Sequence, residues 1–464
     1  MAGESAALDK SGKIAYNKIR NRKRVCILSV FDRLRHKSAE RFYHARGWAM
    51  RWSFHTLLQF RLLLRWVVFS LILGCVLGVV GAAFVWCISF GTELREAHQW
   101  CYLLLPVGGL AIVFLYRVTH DKHDKGTNMI LASLRSEAQL PVQMAPLIFI
   151  STILTHFVGG SAGREGAALQ LGGSLGDLFG KALQLREKDK RILIHAGMSA
   201  AFSSIFRTPI AAAIFAMEVG CVGTMQYAAL VPCVIASLTA SFVAEKLGYP
   251  LAHFDVLEIP ALTPGTAAKT LLLGIFCAAL SILFCVVLHR TEHGMKKLLP
   301  NPYLRIAAAG TALILLGVLL HTENYYGIGD DVIHNAIGGQ AVWYAFLFKM
   351  VFTAITLGGG FKGGEIVPSF FVGATFGCVF GHVAGMSPSL CAAVGMVALF
   401  CGVTNCPLAS LFISAELFGM QCVPYCLLVV AVSYLLSGYY GLYKEQRFYY
   451  SKFSDEHIHH KTRG

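Results

Sequence analysis

From about residue 57 onward the chain alternates long apolar stretches with short polar ones. Examples lie at 66–90, 102–116, 227–244, 267–288 and 422–436. A helix of roughly 20 apolar residues crosses the hydrocarbon core of a bilayer, so these stretches predict membrane helices. Other apolar segments are shorter and broken by Gly and Pro. Only 14% of the residues are charged and 55% are apolar, against about 25% charged in soluble domains. The class this pattern predicts is an all-α polytopic membrane protein.

Two of the broken segments share a pattern. Gly159, Gly160, Gly163, Glu165 and Gly173 recur 200 residues later as Gly359, Gly360, Gly363, Glu365 and Gly373. A second match follows each. Pro209 and Glu218 in 202–218 correspond to Pro407 and Glu416 in 400–416, at an offset of 198. Agreement in order and spacing predicts a tandem duplication, with halves near 60–250 and 265–443. Whether the halves run parallel or inverted is not readable from the residues alone.

Each motif places a carboxylate and a bendable backbone at membrane depth, and intramembrane ionisable groups mark ion pathways. Glycines ahead of a helix let backbone N–H groups converge, and the helix dipole adds positive potential there. That makes 159–166 a candidate anion site. Glu165 can act in two ways: ionised, it competes with an anion for those N–H groups; protonated, it vacates them and carries a proton. The bland reading of the glycines is close helix packing, but the embedded, duplicated glutamate favours the functional one. Arg164 and Glu165 diverge by about 100° on a helix and need not pair.

Charge adds an orientation. Residues 1–65 hold fifteen Lys or Arg against four acids, most of the net +14. No RNA-binding or finger motif accompanies them, so no nucleic-acid partner is expected. The positive-inside bias and anionic lipid account for them better. Residues 1–56 are therefore read as a basic cytoplasmic arm, 57–443 as the membrane domain and 444–464 as a short cytoplasmic tail. Both termini on one side means an even number of crossings. No signal peptide is visible.

Three further signals carry less weight. Gly-x-Ser-x-Gly occurs at 159–163 and 172–176, but neither follows a strand and the second repeat copy has no serine. A hydrolase acting through Ser161 is thus the remote alternative, and the chain is read as no enzyme. The fourteen cysteines form no CxxC pair and read as small buried hydrophobes, with no metal or cofactor. The run of histidines at 457, 459 and 460 reads as a solvated tail.

Gly-Arg-Glu-Gly at 163–166, the Pro209 and Pro407 segments and Gly-Gly-Phe-Lys-Gly-Gly-Glu-Ile-Val-Pro at 359–368 resemble the CLC family of chloride channels and anion/proton antiporters. The likeness implies inverted repeats, broken re-entrant helices and a homodimer with one pore per subunit. Gly-Gly-Phe-Lys-Gly-Gly-Glu is similar to the bacterial fluoride/proton antiporter branch; chloride members usually have Ile or a similar residue where Glu365 stands. Many of those also carry a relay glutamate at the position of Val219. By this resemblance Glu165 is the gating and proton-carrying carboxylate, Glu365 a central carboxylate and Tyr443 a pore hydroxyl. Gly126, Thr127 and Asn128 align with the first anion-coordinating loop; Gly163, Arg164, Gly166, Gly363, Gly364, Ile366 and Val367 complete the expected anion site. Three positions depart from the fluoride pattern: Thr127 replaces Met or Asn, while Val367 and Ala167 each replace Thr. The implied function is fluoride export against inward proton movement across a bacterial inner membrane. The alternative is a chloride/proton antiporter or chloride channel of the same fold.

Overall fold

The computed structural model describes residues 56–119, 126–135, 139–249 and 253–463. The basic arm before Thr56 lies outside them. The chain divides into two units, Met1–Arg65 and Trp66–Gly464, and the packing below concerns the second.

Helices α1 (Thr56–Ala97), α2 (Leu105–Val118), α3 (Thr127–Ser133), α4 (Met144–Phe157), α5 (Glu165–Ala182), α6 (Glu187–Phe206), α7 (Pro209–Glu218) and α8 (Leu230–Lys246) come first. A loop then leads to α9 (Pro264–Leu298), α10 (Pro302–Leu320), α11 (Asp330–Ile337), α12 (Ala345–Gly359), α13 (Ile366–Ala384), α14 (Pro388–Thr404), α15 (Pro407–Phe418) and α16 (Val423–Leu436). All five predicted apolar stretches fall inside helical segments, and among the described residues six helices are long and apolar enough to cross a membrane. Proline opens α7, α9, α10, α14 and α15, where its missing N–H costs nothing and its fixed φ suits the first turn. At 7 and 10 residues, α3 and α7 rise only about 10–15 Å. They start or stop within the protein, the broken helices expected.

Among the described residues, α1–α8 form one set of α-helices and α9–α16 a second. Their relation is visible in paired contacts. The Glu218 carboxylate, at the end of α7, accepts from Leu408 N (3.2 Å) and Ala409 N (2.9 Å) at the start of α15. The Glu416 carboxylate, near the end of α15, accepts from Ile210 N (2.9 Å) and Ala211 N (2.8 Å) at the start of α7. Each helix end meets the other's beginning, so α7 and α15 run antiparallel. A two-fold axis across the helices relates them, which is the inverted arrangement.

The packed helix pairs repeat too. A Cβ on Gly172 of α5 would lie 2.2 Å from Gly197 O of α6, and one on Gly373 of α13 would lie 2.6 Å from Gly395 O of α14. Only glycine lets these backbones touch. By this contact Gly172 is the partner of Gly373, an offset of 201 and not the 200 of the sequence motif. The starts of α4 and α12, and of α5 and α13, agree with 201.

Among the described residues the strands form one small sheet. β1 (Cys221–Val222) pairs in parallel with β2 (Arg447–Tyr450), which pairs antiparallel with β3 (His457–Lys461). The histidine run at 457–460, read from sequence as a solvated tail, is therefore part of a strand. His457 and His460 remain exposed. Phe448 of β2 is fully buried and anchors the ribbon.

Candidate functional site

The two glycine motifs meet at one point. Gly163 N donates to Gly364 O and Gly364 N to Gly163 O, both at 2.7 Å. At the offset of 201 these are equivalent residues, so the exchange lies on the two-fold axis. A Cβ on Gly364 would sit 2.4 Å from Gly166 N, and one on Gly166 would sit 2.9 Å from Gly364 Cα. Neither position admits a side chain.

The one-residue slip gives the two glutamates different surroundings. Glu165 is the first residue of α5, whereas Glu365 is the N-cap of α13. Glu165 is fully buried. Its Oε2 accepts from Val367 N at 3.3 Å, while its Oε1 has no hydrogen-bond partner. The carboxylate thus occupies the N-terminus of α13, where partial positive charge and free N–H groups favour an anion. Glu365 instead lines a cavity of about 980 Å³, together with Gly126, Thr127, Asn128, Gly363 and Tyr443.

Tyr443 is 1% exposed, and its hydroxyl has no hydrogen-bond partner. Thr127 opens α3 after Gly126, whose φ of +60° lies where glycine is favoured. Its Oγ1 donates to Gly166 O (3.4 Å) and accepts from Gln170 Nε2 (3.3 Å). The starts of α3, α5 and α13 therefore converge. Asn128 Oδ1 accepts from Glu445 N at 3.0 Å, so its carbonyl end ties down the chain after Tyr443. Arg164 does not pair with Glu165: its Nη2 donates to the Tyr249 hydroxyl at 2.9 Å. Ile366 and Val367 are buried at the start of α13.

Ser161 is fully buried, and its hydroxyl faces that of Thr353 at 3.1 Å. A threonine hydroxyl is no general base, so the arrangement lacks what a serine nucleophile requires.

Motif and repeat patterns do not single out Lys349, which is wholly buried in α12. Its Nζ donates to Gly327 O (2.8 Å) and Tyr325 O (3.3 Å) and lies 5.1 Å from the Phe371 ring centroid. A signal for it exists in the sequence, a lone lysine in an apolar helix. Glu218 and Glu416 stand out in the sequence only as repeat markers. Their role as caps depends on a partner some 190 residues away or more.

Residues 107–438 match the family model for the voltage gated chloride channel. A Pseudomonas syringae pv. tomato protein described as a chloride/fluoride channel protein is 34% identical over 84% of this chain and 87% of its own. The voltage-gated ClC-type chloride channel ClcB of Citrobacter koseri is 24% identical over 75% and 87%. Among solved structures, a CLC-type fluoride/proton antiporter superposes with a TM-score of 0.80 at 34% identity, covering 83% of this chain and 98% of that one. A slow cyanobacterial Cl⁻/H⁺ antiporter gives 0.71 at 20% identity over 80% and 94%, a likeness of fold.

Proposed function

Because the chain belongs to the voltage gated chloride channel family, we propose that it is a fluoride/proton antiporter exporting fluoride through a bacterial inner membrane. Glu165 is its gate and proton carrier. One observation carries this reading: a buried carboxylate lies against a helix N-terminus with one oxygen unpartnered. It occupies the place an anion would take.

The exchange follows from competition for that place. Ionised Glu165 holds the start of α13. A proton from outside neutralises the carboxylate, which then no longer competes for the N–H groups, and the side chain is released. Fluoride then takes the Val367 N–H and approaches the Tyr443 hydroxyl and Glu365. When Glu165 gives up its proton it reclaims the N–H groups and expels the ion. One carboxylate carries one proton for each anion displaced, so one-for-one exchange is expected. No covalent chemistry or cofactor is required. Fluoride that enters as HF ionises inside and is trapped, which gives proton-driven export its purpose. The 34% likeness to a structure described as a fluoride/proton antiporter supports the choice of ion, as does Glu365 in the cavity wall. A homodimer with both termini cytoplasmic completes the reading.

The Thr127 hydroxyl favours a second reading, chloride/proton exchange, since by the family resemblance it is similar to a serine that chloride members carry in that loop. Reconstituted vesicles decide between them. Fluoride-driven proton uptake is expected in the natural protein, and Glu165→Gln should leave no proton movement. Flux that prefers chloride, or proton coupling that survives Glu165→Gln, overturns the proposal.

A further inference from the structure

Tyr443 makes no hydrogen bond through its hydroxyl, so its position is set by its neighbours in the chain. Those neighbours are tied to several elements at once. His289 Nε2 of α9 donates to Gly441 O at 3.0 Å. Leu442 N donates to Val403 O, near the end of α14, at 2.9 Å. Gln446 is fully buried: its Nε2 donates to Thr404 O (2.7 Å) and Val219 O (3.0 Å), and its Oε1 accepts from Asn405 Nδ2 (3.2 Å). Immediately after Gln446, pairing of β2 with β1 secures the chain again.

Glu445 makes the decisive link, because it holds α3 at both ends. Its N–H donates to Asn128 Oδ1, one residue after Thr127. Beyond the other end of α3, Arg135 Nη1 donates to Glu445 O (2.8 Å) and Nη2 to the Glu445 carboxylate (3.2 Å). The Glu445 carboxylate also accepts from Lys461 of β3 at 2.8 Å. Glu445 thus joins the segment carrying Tyr443 to the helix that begins with Thr127.

We infer that Arg135, Glu445 and Gln446 are positioning residues that hold Tyr443 and α3 as one rigid wall of the anion path. The ribbon from 444 to 463 is the strap that fastens it. A hydroxyl kept for an anion cannot be pinned by another protein group, so orienting it falls to the backbone on either side. A preset hydroxyl spares the ion the cost of ordering it. Loosening the strap therefore weakens anion binding and leaves the proton step at Glu165 in place.

This inference rests on the anion-transport reading above. The test uses the full-length protein in vesicles, with fluoride as the probe ion. Arg135→Gln should raise the KM for fluoride about tenfold with the maximal rate within about twofold and the proton ratio unchanged. Arg135→Lys, which keeps a charge for Glu445, should recover most of the affinity. In a Tyr443→Phe background Arg135→Gln should add little, because the group it positions is gone; independent effects would multiply. If Tyr443→Phe carries no flux, the KM shift and its rescue by Lys decide. A natural protein without fluoride flux overturns the functional reading. Flux in the natural protein, with Arg135→Gln lowering only thermal stability or rate at unchanged KM, overturns the strap.

Discussion

Gly364→Ala is the most direct probe of the joint between the motif copies. The added methyl would lie 2.4 Å from Gly166 N and 3.2 Å from Glu165 N. Both atoms are backbone, so no rotamer change relieves the clash. Overpacking of this kind costs about 1–3 kcal/mol. Separating the chains also lengthens the two 2.7 Å bonds between Gly163 and Gly364, each worth about 0.5–1 kcal/mol. The total is about 2–5 kcal/mol, falling at the start of the helix that bears Glu165. Thermal unfolding of purified protein and fluoride efflux from vesicles should both register it, as a midpoint lower by several degrees and a flux reduced at least tenfold. Gly294→Ala is the control: it lies in α9 with nothing within 4 Å of an added Cβ. Alanine there should be neutral or stabilising by about 0.5–1 kcal/mol. If Gly364→Ala matches Gly294→Ala in both assays, the tight joint is not what organises the site.

Glu218→Ala and Glu416→Ala each strip a cap from the partner repeat. A cost of about 1–3 kcal/mol is expected, larger for Glu218, which is 6% exposed; equal midpoints for both variants and the natural protein would refute the capping role. Ser161→Ala removes one hydroxyl contact and should lower stability by about 1 kcal/mol or less with transport nearly intact, so abolished activity would revive the hydrolase reading.

Much of the architecture is legible in residue order. The apolar stretches mark helices because hydrocarbon thickness sets their length. The doubled motif marks two modules because its spacing is kept. The rest depends on contacts that have no local signature. The inverted relation is written in Glu218 and Glu416, whose caps join residues far apart in the chain. The motif copies align at 200 in sequence but at 201 in space, since one half starts its helix a residue later. Glu165 and Glu365 therefore look like equivalents on paper and face different surroundings in the fold. Asn128 aligns with the anion loop, while its side-chain oxygen is engaged by Glu445. The last strand has no apolar alternation to announce it, and β2 supplies its register.

The crossed caps also bear on whether either half could stand alone. A single module, alone in a bilayer, would leave the first N–H groups of its short proline-led helix without acceptors in hydrocarbon, at several kcal/mol. Only another module inserted in the opposite sense brings a glutamate to that spot. Each half therefore depends on the other to satisfy its own backbone, and neither is expected to be stable in a bilayer alone.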